Sequence, residues 1–162
     1  MKSKLIIIFL ILTMFSQSKG QNNIDFSISL LSDEKVKLSE IYSSGPTLVT
    51  FWALWCKPCR AEMKILNELY KKYFSQGFNI LAINQDTQRS SEKVKSFVES
   101  IGVEYMVALD LNKEFSEMFN VQVIPLSFLF DRNGKIVYRH TGYLPGDEHG
   151  LEEEVKKTLN EK

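Results

Sequence analysis

The sequence predicts a single α/β domain, with a central mixed β-sheet flanked by helices and an N-terminal β-hairpin in front of it. Three observations carry that prediction. Residues 47–53 are apolar at nearly every position, the pattern of a strand covered on both faces. An amphipathic helical pattern starts directly behind them, with Met63, Leu66, Leu69, Tyr70, Tyr73 and Phe74 spaced by threes and fours. Strand and helix patterns then alternate as far as Asn133-Gly134, a pair that favours a tight hairpin turn between two final strands.

Taken in order, residues 24–30 alternate apolar and polar side chains, as a half-buried strand does. Residues 31–35 are a polar turn, 36–38 the returning strand of a hairpin, and 39–42 a short helical turn. Ser43-Ser44-Gly45-Pro46 breaks the chain before the central strand. The helix over 57–75 is stopped by Gly77, and the next strand covers 78–84. After a polar loop over 85–89, Ser90 or Ser91 caps a helix with Val94, Phe97, Val98 and Ile101 on one face, ended by Gly102. Residues 103–109 form a strand, and Asp110-Leu111-Asn112 starts a short helix bearing Phe115, Met118 and Phe119. Pro125 precedes a strand over 126–130, and 136–140 is its antiparallel return. The closing helix carries Leu151, Val155 and Leu159 on one side, with Glu152-Glu153-Glu154 near its start and Lys156-Lys157 later, an order that suits the helix dipole.

The N-terminus is laid out as a secretory signal: Lys2 and Lys4, an apolar run from Leu5 to Phe15, then Ser18 and Gly20 before a cleavage point after Gly20. The apolar run has 11 residues, against about 20 for a helix that crosses a bilayer. The expected organisation is a signal peptide over 1–20 and one domain over 21–162, exported to a bacterial periplasm or another extracytoplasmic space. Membrane contact is expected only through the signal peptide, if it is retained. The whole chain is balanced in charge, and removal of the signal leaves a net −3. No basic stripe or polybasic patch argues for nucleic acid or a lipid surface as partner.

The chain has two cysteines, Cys56 and Cys59. A structural bridge is the plain explanation of two cysteines in an exported protein, but a bridge stabilises more the longer the loop it closes, and this loop is very short. A redox-active pair explains them better. The thiolate is the reactive form, and a free cysteine has a pKa near about 8.5. At a helix start Cys56 gains unpaired backbone N–H groups and the positive end of the dipole, and Lys57 adds its charge. Pro58 falls in the first turn, where its missing N–H costs little. Cys59 lies one turn inside, shielded and able to attack a mixed disulfide on Cys56. Cys56 is thus the exposed nucleophile and Cys59 the resolving thiol. Glu62 stands one further turn along the same face, as a base for Cys59 or as an ordinary first-turn surface acid. Trp55 borders the site and Trp52 belongs to the core. His140 and His149 have no motif around them and read as bystanders.

Phe51-Trp52-Ala53-Leu54-Trp55-Cys56-Lys57-Pro58-Cys59 resembles the active site of the thioredoxin fold, and the order of elements is similar from Ile24 onward. Within that fold the chain most resembles the exported TlpA/ResA-like thiol–disulfide oxidoreductases, through the signal peptide, the hairpin, Cys-x-x-Cys-x-x-Glu, and Ile124-Pro125 before a strand ending in Asp131-Arg132-Asn133-Gly134-Lys135. The resemblance implies a cis peptide bond before Pro125, with Ile124 and Pro125 beside Cys56 as the substrate-binding turn, bordered by Trp55, Lys57 and Pro58. Thioredoxins place a buried Asp where this chain has Thr50, which leaves Glu62 as the replacement proton acceptor. The resemblance further implies disulfide exchange with protein thiols or disulfides, as a reductant supplied by a membrane-embedded electron donor, in cytochrome c maturation or envelope stress. No cofactor and no metal are implied.

Two other functions use the same residues. A peroxidase of the same fold needs no partner cysteine three residues on, and so fits less closely. A copper carrier would use Cys56, Cys59 and a histidine such as His140 as ligands, but carriers of this fold usually separate their cysteines by three residues rather than two.

Overall fold

The computed structural model describes residues 24–161. The expected signal segment 1–20 lies outside the described residues, as do residues 21–23. The elements are β1 (Ser27–Ser29), β2 (Lys35–Lys37), α1 (Leu38–Ser44), β3 (Thr47–Trp52), α2 (Lys57–Tyr73), β4 (Asn79–Asn84), α3 (Ser91–Ser100), β5 (Met106–Leu109), α4 (Glu114–Met118), β6 (Leu126–Phe130), β7 (Ile136–Thr141) and α5 (Asp147–Asn160). Five strands form one sheet in the order β5-β4-β3-β6-β7. β3, β4 and β5 run parallel, while β6 and β7 are antiparallel to their neighbours. The β1-β2 hairpin is a separate antiparallel pair, joined to the main sheet by a bridge between Leu30 and Ala108.

Three of the boundaries that differ from expectation move because a polar side chain captures a backbone N–H. Leu38 starts α1 instead of ending β2, since the Asp25 carboxylate accepts the first-turn N–H of Ser39 at 2.9 Å. β5 begins at Met106 rather than residue 103, because the N–H of Glu104 donates to the Asn67 side chain at 2.9 Å instead of joining a ladder. α4 begins at Glu114 rather than near Asp110, whose carboxylate accepts from the N–H groups of Phe115 (3.2 Å) and Ser116 (2.7 Å).

β3 is buried at all six positions, and its alternation sends side chains into two cores. Val49 and Phe51 pack with the hairpin, α1 and the aromatic cluster of Phe26, Phe115, Phe119 and Phe128. Leu48 and Trp52 pack with Met63, Leu66 and Leu69 of α2, and with Leu151 and Val155 of α5. Glu152 ties these two helices together, accepting from Lys72 and from the Tyr73 hydroxyl at 2.6 Å each. The α2–α5 face carries one row of polar side chains across the sheet. Thr50 of β3 pairs with Ser127 of β6, and Ser127 pairs in turn with His140 of β7.

Gly45, between α1 and β3, lies against the backbone of Gly77. A Cβ at position 45 would sit 1.7 Å from the Gly77 carbonyl oxygen, and backbone on both sides leaves no side chain to move away. Gly45→Ala should therefore destabilise the protein by at least about 3 kcal/mol, the top of the usual overpacking range, measured by denaturant unfolding of the oxidised form.

Candidate active site

The site forms where β3 ends and α2 begins. The turn between them is anchored by a buried acid: the Leu54 N–H donates to Asp86 Oδ2 at 2.7 Å, and the Asn84 side chain donates to the same oxygen at 2.9 Å. The Cys56 N–H then reaches back to the Ala53 carbonyl at 3.1 Å. Asp86 was not singled out from the sequence, where Gln85-Asp86-Thr87-Gln88-Arg89 reads only as a polar loop.

Cys56 is the N-cap residue of α2 and Pro58 lies in the first turn, as the motif requires. Cys56 and Cys59 are joined as a disulfide, and Cys56 Sγ also receives the Cys59 N–H at 3.2 Å. This N–H is one of the unpaired donors of the helix start, aimed at the sulfur that would carry charge on reduction. The expectation of an exposed nucleophile needs correction for this oxidised form. Cys56 is 5 % exposed and Cys59 0 %, because Cys56 Sγ is held between its partner and the Ile124 carbonyl oxygen, 3.8 Å away. The Ile124–Pro125 bond is cis. Trp55 at 72 % and Val123 at 58 % are the prominent apolar side chains around this edge, Lys57 and Pro58 are exposed beside it, and Trp52 is fully buried.

Glu62 is a buried acid, not a surface one: it is 5 % exposed. Its partners are two hydroxyls at long range, Thr50 Oγ1 at 3.5 Å from Oε2 and Ser127 Oγ at 3.4 Å from Oε1. The hydroxyls are themselves 2.9 Å apart. Burial pushes the Glu62 carboxyl from its ordinary 4.5 up to about 7; the two hydroxyls pull it down, and the Asp147 carboxylate adds to the rise. Glu62 therefore changes charge near neutral pH, within a turn of Cys59.

His140 stands apart from the cysteines, with Nε2 3.1 Å from Asp147 Oδ2. Among the described residues no group of three or more His, Cys, Asp or Glu side chains could hold a metal ion. The three ligands of the copper-carrier reading are thus not brought together. No described helix is long and apolar enough to cross a membrane.

The model of the Redoxin family matches residues 19–155. The chain belongs to the Redoxin family. Within it, the chain is similar to the thiol-disulfide oxidoreductase ResA of Bacillus thuringiensis subsp. konkukian, at 34% identity over 138 residues that cover 85% of this chain and 77% of the relative. Among solved structures, a protein of Chlorobium tepidum assigned as the thiol:disulfide interchange protein DsbE superposes with a TM-score of 0.78 at 32% identity, covering 85% of this chain and 95% of that one. The thioredoxin domain of a thiol-disulfide oxidoreductase from Bacteroides vulgatus gives 0.70 at 28% identity, covering 85% and 95%. With its Cys56–Cys59 pair, this Redoxin-family chain is a thiol–disulfide oxidoreductase of the thioredoxin fold.

The Glu62 carboxyl links stability to pH. The native state keeps its proton up to about pH 7, whereas an unfolded Glu releases it near 4.5. Below 4.5 both states are protonated and there is no penalty. Stability is lost as pH rises through that window, and by pH 8 the penalty amounts to about 3 kcal/mol at about 1.4 kcal/mol per pH unit. Glu62→Gln should match the wild type near pH 4 and exceed it in stability by up to that amount at pH 8. Unfolding midpoints at the two pH values measure the difference.

Proposed function

We propose that this Redoxin-family protein is exported after loss of residues 1–20 and works in an extracytoplasmic space as a protein-disulfide reductant. Cys56 is the nucleophile. Its thiolate attacks a substrate disulfide, forming a mixed disulfide and releasing one substrate thiolate. Cys59 then attacks Cys56 Sγ, closing the Cys56–Cys59 disulfide and releasing the second thiolate. Glu62 takes the Cys59 proton as that attack begins. A membrane-embedded donor returns two electrons to the disulfide and resets the cycle.

The observation that carries this reading is the environment of Glu62. A carboxylate with only two long hydroxyl contacts in a buried site is costly as a structural feature. It is well suited to a base, because a carboxyl near 7 holds or accepts a proton at the working pH. An acid on the helix, one turn beyond Cys59, serves the buried thiol and not the outer one. The substrate side is assigned to the opposite edge. The Ile124 carbonyl beside Cys56 offers main-chain pairing to an extended substrate, and Trp55 with Lys57 and Pro58 would border it.

A Cys59→Ser variant should accumulate its physiological partner on Cys56 as a mixed disulfide, identified by mass spectrometry after acid quench. Partners trapped instead by Cys56→Ser would reverse the two thiol assignments. Glu62→Gln should leave the first attack unchanged and slow the second by about 100-fold, the lower end of what a positioned base contributes. A reductant should also equilibrate with glutathione at a potential nearer the thioredoxin value of about −270 mV than the oxidant value of about −120 mV. Mass spectrometry of the mature protein, with Met1 retained, would sink the cleavage reading.

A further inference from the structure

If Glu62 takes the Cys59 proton, the proton must then leave a carboxyl group that is 5 % exposed. The polar row on the α2–α5 face runs from it toward the edge of the sheet. Glu62 Oε1 lies 3.4 Å from Ser127 Oγ, and Ser127 is the cross-strand partner of His140. Directly paired residues present their side chains on the same face with Cβ atoms about 5 Å apart. His140 is half-buried on the outermost strand, where its Nε2 meets Asp147 Oδ2 at 3.1 Å. A narrow pocket of about 10 Å³, room for about one water molecule, joins the two ends, lined by Glu62, Ser127, Tyr138, His140, Tyr143 and Asp147.

We infer that the His140–Asp147 pair is the proton exit of the site, passing the Cys59 proton from Glu62 to solvent by way of Ser127 and this pocket. The inference rests on the reading of Glu62 as the base. The protons balance as follows. Glu62 carboxylate takes the Cys59 proton and becomes neutral; Cys59 thiolate closes the disulfide. The proton then moves to His140, which becomes an imidazolium beside the Asp147 carboxylate, and from there to water, which reprotonates the departing substrate thiolate. With Nε2 engaged by Asp147, Nδ1 is the nitrogen left to accept. Asp147 itself stays ionised, held below the usual carboxylate range by the Leu144 N–H at 2.7 Å and by His140.

The other titratable groups facing this pocket do not compete. Burial holds the hydroxyls of Tyr138 from β7 and Tyr143 from the following loop above their ordinary values. Glu148 is held low, chiefly by backbone N–H groups at the start of α5. His140 is left as the side chain on this pocket placed to take a proton from Glu62. His140 acts through Glu62 and touches no reacting atom, so it is a positioning and relay residue.

The test is single-turnover exchange of the reduced protein with oxidised glutathione, quenched in acid and resolved by mass spectrometry into the Cys56–glutathione intermediate and the closed disulfide. In His140→Gln, which keeps a hydrogen-bond donor for Asp147 but carries no proton, the intermediate should form at the wild-type rate. It should decay about tenfold more slowly, a loss below the 10²–10⁴ of a primary acid–base group. Added imidazole should restore its decay, while the wild type should not respond. Asp147→Asn should slow decay in the same direction, and serves if the histidine variant does not fold. Decay at the wild-type rate in both variants overturns the relay, as does slow decay with an unchanged pH profile and no response to imidazole. Glu62→Gln run in parallel separates the two failures. If it alone slows decay, only the relay falls; if no variant does, the base assignment falls with it.

Discussion

β3 is hydrogen-bonded on both edges and buried on both faces, and it stops one short turn before the first residue of α2. A parallel strand in the middle of a sheet must return through a crossover, and the helix of that crossover starts at the strand's C-terminal end. The unpaired N–H groups of α2 therefore open at the edge of the sheet, with Cys56 at the cap position, where one of them points at its sulfur. The same packing fixes what lies under the helix. Residues one and two turns into α2 rest on whichever β3 and β6 side chains face that side, and those are Thr50 and Ser127.

Two polar side chains beneath α2, Thr50 and Ser127, decide the character of Glu62. With aliphatic residues at 50 and 127, its carboxyl would have no partner and would stay protonated through the neutral range. With an acid at position 50, a second buried charge would sit against it, and the two would titrate as a pair. Two hydroxyls do something intermediate: they supply weak donors without supplying charge. The carboxyl is left close to the point where it can go either way. Asp86 does a different job on the other side of β3, since its short bonds to Leu54 and Asn84 hold the turn and leave it no role near sulfur.

Much of this was legible in the sequence, for identifiable reasons. The central strand, α2 and the redox pair follow from local signals: an apolar run, a 3.6-residue period, and two cysteines one turn apart. Glu62 was reachable as a candidate because its relation to Cys59 is also one of helical period. Its burial was not, since that depends on Ser127, 65 residues away. Asp86 was missed for the same reason, its bond to the Leu54 N–H spanning 32 residues. The strand and helix ends that moved did so through side chains such as Asp25 and Asn67, whose backbone targets are also distant in sequence. His140 read as a bystander because nothing within a few residues of it looks like chemistry.

The face that His140 presents depends on a detail no sequence pattern displays. Through most of the β6–β7 pair the register sets Ser127 opposite His140 and Phe128 opposite Arg139, but between Leu129 and Phe130 it shifts by one residue. That irregularity beside the Asn133-Gly134 turn absorbs one extra residue in β7. Without it the register set at Phe130 would run the length of the hairpin, and every β7 side chain would change face. Arg139, which now lies over the Phe128 ring on the far side, would then stand opposite Ser127. A fixed positive charge beside Glu62 would hold the carboxyl ionised well below neutrality and weaken it as a proton acceptor. One inserted residue at the sheet's edge thus separates a site whose acid is tuned by neutral hydroxyls from one in which an arginine would fix its charge.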